Sequence, residues 1–176
     1  MRKRYARGID CRAAELLRKH GLFAVPVDVT AVAERIGASV VFEDLDDDVS
    51  GFLLREKGVS TIAVNKQHHP NRQRFTLAHE CGHLFLHADK GDRLWLDKTL
   101  FFRDGSSSTG DQFAEIEANQ FAAGLLMPEE LIVGMLGKER LISEIDVVRL
   151  AMRFEVSERA MTVRLISLGL IESVTA

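Results

Sequence analysis

The stretch from Arg72 to about Asp89 constrains the fold more than any other part of the chain. Pro70 and Asn71 open it, with proline in the first turn, where its missing N–H costs no helical hydrogen bond. Phe75, Leu77, Ala78, Leu84, Phe85 and Leu86 are spread around the helix rather than along one stripe, the pattern of a helix buried on most sides. Within this apolar helix stand His79-Glu80-Cys81-Gly82-His83, an H-E-x-x-H sequence.

The spacing carries a geometric consequence. Residues four apart on an α-helix differ by about 40° of rotation and about 6 Å of rise, so both imidazoles leave one face and can share one metal ion. Glu80, turned about 100° from His79, stands near that ion without binding it and can hydrogen-bond a water there. Metal-assisted amide hydrolysis needs this division: zinc activates the water and polarises the carbonyl, and a carboxylate takes the proton.

A catalytic zinc needs a third protein ligand. His87 is two turns from His79, about 12 Å along the axis, too far to share one ion, and is read as a supporting residue. The later helix Asp111–Leu126 is the better source, because Ala118, Ala122 and Ala123 allow close approach to a neighbouring helix. Glu115 and Asn119 share a face of it, whereas Glu117 points about 200° away from Glu115, so one of the two glutamates is the ligand. Cys81, on the helix between the ligands, points away from the histidine face and is read as packing.

Around these two helices the chain changes period several times. Ile9, Ala13, Leu16 and Leu17 predict an amphipathic first helix stopped at Gly21, and Asp28 caps a short second one ending at Gly37. Ser39 to Phe42, Gly51 to Arg55 and Ser60 to Asn65 read as a small antiparallel sheet, with the acidic run 43–48 as a solvated loop. The hairpin Gly51–Arg55 and Ser60–Asn65 offers an edge to which an extended substrate could add as a strand. The segment from Asp89 to Gly110, with its serine run, is poorly periodic and reads as a mobile excursion. Pro128 starts a further helix, Glu129–Leu136, and Ser143 and Ser157 cap two last ones, whose spacing resembles a helix-turn-helix.

The motif His79-Glu80-x-Gly82-His83-Leu84-x-Leu86-His87, followed by Glu115-x-Glu117-Ala118-Asn119-x-Phe121-Ala122-Ala123-x-Leu125-Leu126-Met127-Pro128, resembles the ImmA/IrrE family of zinc metallopeptidases. The preceding Arg74-Phe75-Thr76-Leu77-Ala78 is similar to that family as well. The resemblance implies a glutamate-liganded zincin: His79, His83 and Glu115 as metal ligands, Glu80 as catalytic base, and Zn2+ as the cofactor. It implies an intracellular metalloendopeptidase acting on a partner protein, a helix-turn-helix transcriptional repressor. The expected architecture is α+β: a mainly helical zincin-like core over residues 1–128 with a small antiparallel sheet, then a C-terminal helical subdomain over residues 129–176.

Composition narrows the function classes. With 23 Lys+Arg against 26 Asp+Glu the formal charge is −3, which argues against a broad phosphate-gripping face, so direct nucleic-acid binding is not expected. No apolar run approaches the roughly 20 residues of a membrane span, and no apolar core follows the basic N-terminus as in a secretory signal. Two cysteines, Cys11 and Cys81, read as free thiols of a reducing, cytoplasmic compartment. A second reading, a non-proteolytic anti-repressor or toxin–antitoxin component with a structural zinc, is weakened by Glu80, since a structural site needs no base beside its ligands. His68, His69, Arg74 and Tyr5 are all candidates for stabilising an oxyanion.

Overall fold

A computed structural model of the chain describes residues 2–87, 93–98, 109–137 and 141–172, with backbone alone at 2–4, 93–98 and 109–111. Helix α1 (Arg2–Lys19) is followed by α2 (Val29–Arg35), whose N-cap Asp28 accepts a hydrogen bond from the Ala31 amide at 2.9 Å. Strands β1 (Ala38–Glu43), β2 (Val49–Glu56) and β3 (Val59–Asn65) come next. Helix α3 (Pro70–Leu86) is capped by His69, whose Nδ1 accepts from the Asn71 amide. Strand β4 (Arg93–Lys98) precedes α4 (Thr109–Leu126), α5 (Glu129–Leu136), α6 (Glu144–Phe154) and α7 (Glu158–Leu168).

The α+β class is as the sequence predicts, and the sheet differs in one respect. Its order is β1-β3-β2-β4, and it is mixed rather than wholly antiparallel. Strands β2 and β3 form the expected hairpin, with Lys57 and Gly58 both at positive φ, the backbone that a two-residue turn between right-twisted strands demands. Strand β1 runs parallel to β3, pairing Val40 with Ile62, so β3 is inserted between β1 and β2. The 44–48 connection leaves room for that insertion because the fully buried Asn65 side-chain amide reaches the carbonyls of Leu45, Asp46 and Val49, the last at 2.9 Å. Lys66 pairs with Asp44 at 2.6 Å on the same loop. The acidic run is therefore a braced crossover.

Two further expectations are corrected. Part of the segment read as a mobile excursion is strand β4, with Leu53 registered against Trp95. Thr109 and Gly110 belong to α4, and the rest, including Leu100-Phe101-Phe102 and the serines, lies outside the described residues, as does the Asp89 end read for α3. The hairpin also offers no edge: β1 covers β3 and β4 covers β2, so the edges of the sheet are β1 and β4. Period-2 patterning identifies strands without their neighbours, because side-chain alternation is the same on an edge and in the centre.

One apolar core joins all layers. Leu17 from α1, Leu53 and Ile62 from the sheet, Leu77 and Ala78 from α3, and Phe121, Leu125 and Leu126 from α4 meet Phe154, Met161 and Leu165 from the last two helices. A buried polar tie reinforces this junction. Arg164 of α7, 2% exposed, donates through Nε to the Met127 carbonyl and through Nη1 to Asp10 of α1, both at 3.0 Å. Asp10 also accepts from Gln120 of α4 at 2.7 Å.

Candidate metal centre

Helices α3 and α4 approach closely at their small residues. A Cβ added at Gly82 would lie 3.0 Å from the Ala118 Cα and 3.1 Å from the Ala118 carbonyl oxygen. Ala118 and Ala122 are fully buried at this contact. Glycine between the two histidines is thus what lets the α4 backbone come near enough to present a side chain to the α3 face.

The side chain presented is Glu115. Its Oε2 lies 3.2 Å from His79 Nε2 and its Oε1 lies 3.2 Å from His83 Nε2. The two imidazole Nε2 atoms are 3.0 Å apart, with the rings edge-on at 78°. One donor atom from each of the three residues falls within 4.8 Å of the others. Donors about 2.0–2.2 Å from a tetrahedral ion stand roughly 3.3 Å apart, so the trio fits a small divalent cation. Both histidines are buried and Glu115 is partly exposed, which leaves an approach from one side.

The electrostatics suit the same role. Burial holds the His83 imidazole below its ordinary pKa, against the raising effect of Glu115, so it is neutral and available as a ligand near pH 7. For Glu115 burial opposes ionisation, but in the metal-free chain its polar contacts with the His79 and His83 imidazoles outweigh it and bring the carboxyl down to about 2. Glu80 is fully buried, one residue from His79. Cys81 is fully buried as well, its thiol pushed up by desolvation and by Glu80, which makes it an inert packing group, as its place on the helix predicts.

One contributor is not assigned a role by sequence reasoning. Asn119 Oδ1 lies 3.1 Å from His79 Nδ1, and as acceptor it fixes the proton on Nδ1 and leaves Nε2 free to bind. The signal was its i,i+4 relation to Glu115. Glu117, on another side of α4, accepts from the Tyr5 hydroxyl and lies 3.6 Å from His87 Nε2, so the two glutamates have separate partners. Tyr5 is held to Glu117, and that bond raises its pKa. Arg74 is turned to the Val27 carbonyl and Glu155, and His69 caps α3, so both have structural employment. A separate cleft of ≈ 460 Å³ lies at the α6–α7 turn between Asn71, Met152, Glu155 and Glu158, and none of the trio lines it.

Residues 33–165, most of the chain, match the family model described as Peptidase_M78, IrrE N-terminal-like domain. The chain belongs to this family. Among relatives of this Peptidase_M78 chain, immunity region protein 2 of Bacillus phage phi105 is 29% identical over 101 residues, 57% of this chain and 59% of that protein. The radiation response metalloprotease IrrE of Deinococcus deserti is 43% identical over 75 residues, 43% of this chain, and that of Deinococcus radiodurans is 40% identical over 77 residues, 44% of this chain. The Peptidase_M78 chain aligns with only 25% and 22% of those two proteins. A solved structure of a Mycobacterium tuberculosis transcriptional regulator superposes with a TM-score of 0.65 at 22% identity, covering 99% of this chain and 60% of that one, a likeness of fold. Among the described residues no helix is long and apolar enough to cross a membrane.

Proposed function

We propose that this chain is a zinc-dependent metalloendopeptidase that cleaves a partner protein in the cytoplasm, the partner being a helix-turn-helix transcriptional repressor. The observation that carries the reading is the convergence of His79, His83 and Glu115 within 4.8 Å beside a fully buried Glu80. His79, His83 and Glu115 are the proposed ligands and Glu80 the proposed base. When bound, zinc lowers the pKa of a water toward about 7 and polarises the scissile carbonyl. Glu80 would accept the proton of the attacking water and pass it to the departing amine. Asn119 keeps His79 in the ligating tautomer. The helical segment 129–176 is proposed as a subdomain that packs on the peptidase core and can serve partner docking rather than DNA.

The likeness to a phage immunity region protein supports a repressor as partner, and the likeness to the two IrrE metalloproteases supports proteolysis. Incubation of the zinc-loaded protein with the repressor encoded beside it, followed by mass spectrometry of the products, tests both together. Glu80→Gln should retain zinc and fold while cleavage falls by at least ~100-fold. Undiminished cleavage by that variant would sink the mechanism. Stoichiometric repressor binding without fragments, in wild type and variant alike, would instead favour the anti-repressor reading.

A further inference from the structure

Helix α6 is short, ends against the core on one side, and leaves an apolar line on the other. Ile145, Val148 and Met152 are 78%, 37% and 75% exposed, and Leu141, in the non-helical chain just before the helix, is 96% exposed. Leu150 and Phe154, on the opposite side of the helix, are buried in the core of the chain itself. On the helix itself, exposed apolar residues at spacings of three and four match the a, d and a positions of a heptad: Ile145 a, Val148 d, Met152 a. In that register Glu144 is a g position and Arg149 is the e position that follows it. Both are exposed.

We infer that α6 is a self-association surface whose occupant is α6 of a second copy of this chain, paired in parallel about a two-fold axis along the helices. The charge pattern selects this occupant. Glu144 lies on one rim of the apolar line and Arg149 on the other, and a parallel two-fold pair sets each g residue beside the e residue of its neighbour five positions on. Glu144 of each copy therefore meets Arg149 of the other, twice, by symmetry. An antiparallel two-fold pair brings each rim against itself, placing Arg149 beside Arg149 near the axis, and is disfavoured. Arg149 is free to make the contact while keeping its bond to Asp146, because its side chain is 56% exposed and the guanidinium has five donors. The helical seam spans about one heptad, so the association is weak, with a dissociation constant on the order of 100 µM.

Sedimentation velocity of the whole chain, from about 5 to about 500 µM, tests it. The weight-average mass should rise toward that of a dimer, and Ile145→Glu, a change at an exposed position with little effect on the thermal midpoint, should hold the protein monomeric. A charge-swap pair separates this geometry from others. Glu144→Lys and Arg149→Glu should each weaken self-association by about 10-fold, and an equimolar mixture should associate as well as wild type, since both cross-pairs are then opposite in sign. Wild-type protein that stays monomeric to about 500 µM, a dimer that survives Ile145→Glu, or a mixture that associates no better than its components overturns the proposal.

Discussion

Asn119 Oδ1 accepts from His79 Nδ1 at 3.1 Å, four residues along α4 from the Glu115 carboxylate that reaches His79 Nε2 on the other side of the ring. One helix thus holds both nitrogens of a single imidazole. Asn119→Ala leaves the ring free to rotate and to take the other tautomer. Metal affinity should fall by about 10–100-fold with little change in overall fold. Competition against a chromophoric chelator measures it, and affinity within a factor of two of wild type would show that Asn119 has no hold on the ligand.

Gly82→Ala sets helix propensity against packing. Alanine is favoured in a helix interior by about 0.5–1 kcal/mol. The new Cβ would lie 3.0 Å from a backbone Cα on α4 and 3.3 Å from the Phe121 Cβ, and neither can swing away. Overpacking of this kind costs about 1–3 kcal/mol, so it wins. The variant should unfold at lower denaturant concentration and bind metal less tightly, since the helices that carry the proposed ligands are pushed apart. A more stable Gly82→Ala protein would show that the interhelical contact is slack.

Acid should weaken the metal-free protein in two stages. His83 has a folded pKa below its ordinary 6.5, because of burial, so the unfolded chain binds the proton more readily. Its contribution is present above about pH 6.5 and is lost as pH falls below that value. Glu115, brought from 4.5 to about 2, contributes above its ordinary value and loses that contribution as pH falls toward 2. Thermal midpoints of chelator-treated protein should decline from about pH 6.5 downward, and less steeply in His83→Asn. A midpoint that climbs on acidification would reverse the sign argued here.

Arg164→Ala removes the cation from a junction where α1, α4 and α7 meet. Asp10 keeps Gln120 but loses its ion pair, and the Met127 carbonyl loses its donor. Breaking one side of a buried pair typically costs about 3–5 kcal/mol, and Asp10, 16% exposed, places the expected loss near the lower end. Asp10→Asn with Arg164→Met should recover part of it, because neither charge is then stranded. Urea denaturation gives the comparison, and a loss under ~0.5 kcal/mol for Arg164→Ala would mark the pair as incidental.

Local signals carried a large share of the structure. Caps and terminators are short-range chemistry: Asp28, Ser143 and Ser157 each accept the hydrogen bond expected of them, and Gly21 and Gly169 take the left-handed backbone at helix ends. The two site histidines were legible because helical periodicity alone places residues four apart on one face. Glu115 was harder. Its distance from α3 is a matter of tertiary packing, and the sequence offered two glutamates on different sides of one helix.

What lay beyond the linear pattern is whatever depends on which surface meets which. The parallel β1–β3 pairing, the strand at 93–98 covering β2, and the buried Asn65 that braces the crossover all follow from neighbours distant in the chain. So does the separation of Glu115 toward His79 and His83 from Glu117 toward His87 and Tyr5. Periodicity sets the direction of a side chain about its own helix axis, and therefore named the histidines. The partner at the end of that direction is chosen by the relative placement of helices, and here that placement rests on the absent side chain of Gly82 against the backbone of Ala118.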